Sequence, residues 1–488
     1  LINMPCTTIL VGKKASYNGS TRIARNDDSP SGHFHVKKRI VVEPKDQVRT
    51  YKNKGGKLTL QLPDNPLRYT RMPNVDPKEG VWPAAGINSA NVSRTATETI
   101  TSNERVLGAD PYVVPHTENG KAVPGGIGEE DLVLLVLPYI HSAREGVLRL
   151  GELLEKYGTY EPNGIAFSDE NEIWWLETIG GHNWIAKRVP DDHYVVMPNQ
   201  FGRDSFDFDD AEKEGKENLC SKGLRQFVEE NRLALDRDKR FNPRLAFGSH
   251  SDSDHVYNTP RAWYRLRYFN PHYTDWDNGS RYTPESDDLP WSLVPERKIT
   301  LNEVKYILSS HYQGTIYDPY GKKGTAETRS MYRPIGINRT SFLSCSEIRP
   351  FAKEELKSIF WLAYGSNVFN AFAPVFTNVD KIPSYYSNTT RTVSTESFYW
   401  ASRLLGALSD PHFNVNTIHI ERYQDAVMEQ SYKLIQDADK KESVSVKELE
   451  SINDNIAKMV KKETDKAINN VLYSTSMLRK NSFSRSDN

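Results

Sequence analysis

Cys6 opens the apolar, β-branched run Cys6-Thr7-Thr8-Ile9-Leu10-Val11, and nineteen positions later comes Arg25-Asn26-Asp27-Asp28. A cysteine this close to an amino terminus has a second resource. Once the residues before it are removed, its own α-amine lies beside the sulfur. A free α-amine titrates near ~7.7–8.0, where a general base is best poised at neutral pH, and an N-terminal amine is one of the groups that activate nucleophiles. A nearby guanidinium lowers a thiol pKa from about 8.5, and a carboxylate can orient the amine by accepting its hydrogen bonds. Taken alone, such a cysteine reads as a small buried hydrophobe, and Arg25 with Asp28 as a hairpin-end ion pair worth ~0–1 kcal/mol if exposed. The residues together point to nucleophilic chemistry.

Two strands must position these groups. Residues 7–14 and 21–25 are apolar and β-branched, and Asn18-Gly19 lies between them, a strong hairpin signal. A two-residue turn there pairs Cys6 with Ser31. A five-residue loop over 15–19 puts Cys6 opposite Asp28, ~4.5–5.5 Å away, and only that register builds a site. Further strands are expected at 36–42, 57–62, 85–88 and 91–98, then as a meander at 164–168, 172–178, 182–188 and 193–197, and late in the chain at 340–348 and 358–364. Helices are expected at 129–140, at 142–157 with Gly158 as its stop, and at 221–235. Capping boxes at Thr300-Leu301-Asn302-Glu303 and Ser445-Val446-Lys447-Glu448 open two more. From Glu396 onward the chain reads as helical, ending in a long amphipathic helix over 446–480 that serves packing or oligomer formation. The order of elements predicts an α+β protein with layered antiparallel sheets.

Bulk properties narrow the function. In 488 residues, Lys+Arg 63 against Asp+Glu 64 gives a formal net charge of -1. There is no basic excess to collect phosphates, so nucleic acid is not an expected partner. The longest apolar stretch, 132–140, is too short to span a bilayer. No cationic segment followed by an apolar one is visible near the start, and three cysteines, Cys6, Cys220 and Cys345, form no disulfide framework. The expectation is a cytoplasmic protein with no membrane partner.

Other constellations carry less. Ser249-His250-Ser251-Asp252-Ser253-Asp254-His255 has His and Asp at short spacing but no metal-ligand pattern, and reads as a polar, structural or substrate-side loop. The acidic run 204–210 lacks the glycine-turn-glutamate frame of a Ca²⁺ loop. No His-Glu-x-x-His, Gly-x-Ser-x-Gly or phosphate loop occurs. Trp174-Trp175 is expected to place one ring in the core and one toward a substrate pocket.

Cys6-Thr7-Thr8 with Arg25-Asn26-Asp27-Asp28 resembles the N-terminal-nucleophile hydrolases of the choloylglycine hydrolase type. Ala85-Gly86-Ile87-Asn88 followed by Thr97-Glu98-Thr99, Ala143-Arg144-Glu145-Gly146, the block from Glu172 through Trp174-Trp175 to Ala186, Pro198-Asn199-Gln200-Phe201 and Asn258-Thr259-Pro260-Arg261-Ala262-Trp263 sharpen this to a resemblance to the bacterial dipeptidase A family. The blocks run in order from residue 6 to about 365, and secernins share part of the pattern. The resemblance implies a four-layer αββα fold, hydrolysis of dipeptides and other small peptides by an N-terminal cysteine, no metal and no organic cofactor. Carried over by position, it makes Cys6 the nucleophile, and Arg25 and Asp28 the holders of amine and thiol, with Asp27 as a substitute for Asp28. It assigns Asn88 and Asn199 to the oxyanion and amine network and Arg261 to the charged cluster. Two alternatives accompany it: an amidase acting on bile-salt or penicillin-type amides, and a non-catalytic, secernin-like interaction protein.

While Leu1 to Pro5 precede Cys6, the Cys6 nitrogen is an amide and cannot act as a base. Residues 1–5 are therefore expected to be a leader removed by self-cleavage, residues 6–395 the hydrolase domain, and residues 396–488 a C-terminal helical extension. A homo-oligomer is the expected assembly.

Overall fold

The computed structural model describes residues 5–30, 32–234, 240–278 and 281–481. Residues 1–4 of the expected leader, Ser31 as a partner for Cys6, and the helix end at Leu235 lie outside them. Strand β1, Cys6–Val11, and strand β2, Thr21–Asp28, are buried along their whole length. They lie at the centre of a seven-stranded antiparallel sheet. Its order is Ser292–Leu293, Tyr194–Met197, β1, β2, Thr340–Ile348, Ser358–Tyr364, Ala373–Phe376. The late strands fall where their apolar runs predict them.

A six-stranded antiparallel sheet runs Asn218–Cys220, Asn183–Arg188, Ile173–Ile179, Asn163–Ser168, Ser93–Thr99, Ala85–Ile87. Alternation along each strand decides what meets what. Leu10, Ile23, Val195 and Met197 of the first sheet pack with Ala166, Ile173 and Trp175 of the second, so the two sheets meet face to face. On its other face the first sheet sends Ile9, Val11 and Ala24 into a core with the helices Thr259–Phe269 and Leu301–Leu308. The second sheet's other face carries Phe167, Trp174 and Leu176 against the helices Glu129–Val136 and Ala143–Tyr157. Both rings of Trp174-Trp175 are thus fully buried, on opposite faces of one sheet.

The β1–β2 connection takes neither expected register: Cys6 stands opposite Asp27. The reason lies in residues 12–20, which form a wide folded loop. Gly12 O accepts from the backbone N–H of both Ala15 and Ser16, at 3.0 and 2.9 Å. The Asn18 side chain then accepts from Ser20 N at 3.2 Å and Arg22 Nη2 at 2.9 Å, so Asn18-Gly19 is not a tight two-residue turn. Elsewhere the strand expected at 36–42 is confined to Ile40–Val42, and the helix expected at 221–235 to Leu224–Glu230. The polar stretch at 249–255 is not all loop, because Ser251 and Asp254 form a capping box that starts the helix Asp252–Tyr257.

The C-terminal helices Phe398–Ser409, Phe413–Asp439 and Val446–Ser476 share a core with the first sheet. Tyr423, Val427, Ile456 and Val460 pack in the same cluster as Phe360, Trp361, Ala373 and Val375. Asn453 reaches from the last helix to the edge strand, accepting from Phe376 N and donating to Phe376 O, both at 2.9 Å. Asn453→Ala strands one buried N–H and one buried C=O. Its expected cost, at 1–3 kcal/mol per orphaned group, is about 3 kcal/mol of unfolding free energy in urea titrations.

Candidate active site

Cys6 and Arg25 lie on the face of the first sheet that meets the second, Cys6 four residues before Leu10 and Arg25 two residues after Ile23 in the alternation. Arg25 Nη1 donates to Cys6 Sγ at 2.8 Å, with both side chains fully buried. A guanidinium donor at that distance is a charge-assisted partner for a thiolate. The same guanidinium gives Nη2 to Asp27 Oδ1 at 2.9 Å. Lys37 Nζ lies 3.7 Å from the other carboxylate oxygen, Asp27 Oδ2. Burial alone would raise the Asp27 carboxyl, but Lys37 and Arg25, with His35 beyond them, hold it below the ordinary carboxylate range.

The register also settles what Asp28 does. Successive residues of a strand point to opposite faces, so Asp28 turns away from the Cys6 side. There its carboxylate meets Arg333 Nη2 and accepts from Thr340 Oγ1 at 2.5 Å. Burial disfavours the Arg333 charge, yet Asp28 keeps that guanidinium above its usual pKa. The expectation that places Asp28 opposite Cys6 is corrected to Asp27.

Arg261 ties the site to the helix Thr259–Phe269. Its Nη1 donates at 2.6 Å to both Cys6 O and Thr7 Oγ1. Its Nη2 donates at 2.8 Å to both Asn199 Oδ1 and Asn258 Oδ1. Asn199 gives its own Nδ2 to Thr99 O at 3.0 Å. The structure therefore gathers Cys6, Arg25, Asp27, Asn199 and Arg261. Asn88 is engaged elsewhere: Nδ2 donates to Leu137 O and Ile140 O, and Oδ1 accepts from Ala90 N and Val92 N.

Sequence reasoning passed over Lys37, Asn258 and Arg333. Asn258 stood inside the Asn-Thr-Pro-Arg block, three residues before Arg261, and helix spacing was the available signal. Lys37 and Arg333 lie outside the regular strands and helices and carried none. Among the described residues no group of three or more His, Cys, Asp or Glu side chains could hold a metal. Burial pushes the thiol of Cys220 up to about 12 and also raises that of Cys345, which disfavours a thiolate at either.

The model of peptidase family C69 matches residues 5–426, and the chain belongs to that family; it is a peptidase. Among its relatives is a protein of Bifidobacterium longum named dipeptidase, 50% identical across 99% of this chain and 100% of the relative. A probable dipeptidase A of Streptococcus pyogenes serotype M3 is also 50% identical over the same shares. Dipeptidase A of Lactobacillus helveticus is 43% identical across 96% of this chain and 94% of its own length. No helix among the described residues is long and apolar enough to cross a membrane.

Two outcomes follow from the buried charges. Asp28→Asn leaves Arg333 buried without its anion and is expected to lower the unfolding free energy by about 3–5 kcal/mol. His35, beside Asp27 and Lys37, is pushed down from 6.5 to about 4 by burial and then by Lys37. Below pH 6.5 the unfolded chain therefore binds a proton that the native state refuses until about pH 4. Stability from this group is full above pH 6.5 and is lost as pH falls toward about 4. Urea titrations of His35→Gln across that window should show a flatter dependence on pH than the parent protein.

Proposed function

We propose that this peptidase is a dipeptidase whose nucleophile is Cys6, exposed as an N-terminal residue by cleavage of the Pro5–Cys6 bond. The observation that carries the reading is the Arg25 guanidinium shared between Cys6 Sγ and the Asp27 carboxylate, 2.8 and 2.9 Å away, opposite each other on paired strands. The names of the relatives, dipeptidase and dipeptidase A, favour dipeptides as the substrate. The helix, sheet, sheet and helix packing supports the αββα architecture of an N-terminal-nucleophile hydrolase, with residues 6–395 as the catalytic part and 396–488 as a helical extension packed on it. The free thiols fit a cytoplasmic setting, and we propose a homo-oligomeric assembly.

In the reaction, the Cys6 thiolate attacks the substrate carbonyl carbon and a C–S bond forms. The tetrahedral oxyanion is received by donors on the Asn199 and Arg261 side of the cysteine, the kind of contact worth ~3–4 kcal/mol when removed singly. The C–N bond breaks, and the leaving amine takes the proton held by the Cys6 α-ammonium, which Asp27 orients. Water then gives a proton to the α-amine and attacks the thioester. A carboxylic acid leaves and the thiol is restored. Maturation uses the first half of the same chemistry: Cys6 attacks the carbonyl of Pro5, the Pro5–Cys6 amide becomes a thioester, and water releases the leader.

Cys6→Ala is expected to stay folded, to keep the residues before position 6, and to turn over below about one-thousandth of the parent rate. Release of free amino acids from a dipeptide panel, measured beside release from acylated amines, checks the substrate class. Intact-mass spectrometry of active protein checks the maturation. An active enzyme that still carries Leu1 ends the N-terminal-nucleophile reading, and preference for acylated amines ends the dipeptidase one.

A further inference from the structure

Lys37 is a costly residue that the reaction just described does not use. It is fully buried, and burial together with Arg25 pushes its ammonium down against the pull of Asp27 and Glu129. A lysine kept in such a place without a partner would neutralise or destabilise the fold. Here two partners hold it. Nζ donates to Trp82 O at 2.7 Å and lies 3.7 Å from Asp27 Oδ2. That second carboxylate oxygen is buried and accepts no hydrogen bond of its own. Lys37 thus stands beside Oδ2, while Arg25 donates to Oδ1.

The backbone that meets Lys37 is shaped at a cost. Trp82 and Ala84 both take left-handed conformations, with φ of 41° and 59°, although neither is glycine. Such residues carry backbone strain and persist where their surroundings demand them. In return the loop turns three successive carbonyls to work: Val81 O accepts from Asn74 N, Trp82 O from Lys37 Nζ, and Pro83 O from Met72 N, at 2.8, 2.7 and 2.9 Å. Lys37 is itself anchored by its backbone bridge to Asn74. Both ends of the lysine are therefore fixed before it reaches Asp27.

We propose that Lys37 is a positioning residue for the Cys6 thiol, acting through Asp27, whose free oxygen it holds so that Arg25 stays divided between carboxylate and sulfur. This rests on the reading of Cys6 as nucleophile. The chain of contacts runs Trp82 O, Lys37, Asp27, Arg25, Cys6, and Lys37 touches neither the sulfur nor, in this scheme, the substrate. Without Lys37, the Asp27 carboxylate has one cation in place of two and draws Arg25 away from the sulfur. The buried charges around Lys37, Asp27 and Arg25, which include His35, Glu129 and Arg94, also become more negative by one charge. Both changes disfavour the thiolate.

The test is the pH dependence of Cys6 alkylation by iodoacetamide, followed by peptide mass mapping, beside steady-state kinetics on a dipeptide. Alkylation needs no turnover, so it separates a failure of this proposal from a failure of the dipeptidase reading. Lys37→Met should move the alkylation midpoint about 1 pH unit higher, which leaves about tenfold less thiolate at neutral pH. The expected kinetic result is a kcat lowered about tenfold with KM within about twofold. Lys37→Arg, which keeps the charge, should recover most of both. Should Lys37→Met not fold, the double variant Asp27→Asn/Lys37→Met removes both members of the Lys37–Asp27 pair together, and Arg25 keeps the Cys6 sulfur as its partner. It should turn over no more slowly than Asp27→Asn alone, because Lys37 has nothing left to hold. An unmoved midpoint, a raised KM with kcat unchanged, or additive losses in the double variant would each overturn the proposal.

Discussion

One guanidinium divided between a sulfur and a carboxylate organises this molecule. Arg25 reaches Cys6 only because β1 and β2 pair with Asp27 opposite the cysteine. A one-residue change in that pairing would send every side chain of one strand to the other face. The apolar residues prevent it. Leu10 and Ile23 must enter the seam between the sheets, and Ile9, Val11 and Ala24 the core on the outer side. The position of the Cys6 thiol is therefore enforced by hydrophobic burial some distance along the same strands. The wide loop over 12–20, pinned by Asn18, makes the connection that this pairing needs.

Around that pair the structure buries charge in matched sets on both faces of the sheet. On the inner face Asp27 lies between Arg25 and Lys37, and on the outer face Asp28 is held by Arg333 and Thr340. Arg261 spends its guanidinium on two backbone carbonyls, a hydroxyl and two side-chain amides, with Cys6 O and Asn199 among them. Buried ion pairs are weak sources of net stability. What they supply here is fixed direction: few donors can rotate away without abandoning another bond. Such preorganisation suits a group that must meet a developing charge without first rearranging.

Much of this was legible in the chain. The strands Thr340–Ile348 and Ser358–Tyr364, the helix ending at Gly158 and the two capping boxes follow from apolar period and cap chemistry, which act locally. The contact between Cys6 and Arg25 was also readable, because the two fall on adjacent strands of one hairpin. The choice between Asp27 and Asp28 was not. It turns on loop geometry set by contacts as remote as the bridge between Ser16 and Ile299. Lys37 and Arg333 were invisible for a related reason: each arrives from an irregular segment whose path depends on tertiary neighbours. Asn88 shows the converse, since an amide in a suggestive block serves the backbone around Leu137 and Ile140.

The bond between Asn453 and Phe376 has a consequence for self-association. An outermost strand normally offers unpaired amides to any passing chain, but here an asparagine from the last helix occupies the amide and carbonyl of Phe376. The opposite margin of that sheet is the two-residue strand Ser292–Leu293, too short to template a neighbour. At Phe376 and at Ser292–Leu293 the seven-stranded sheet therefore gives a neighbouring copy little backbone on which to extend it.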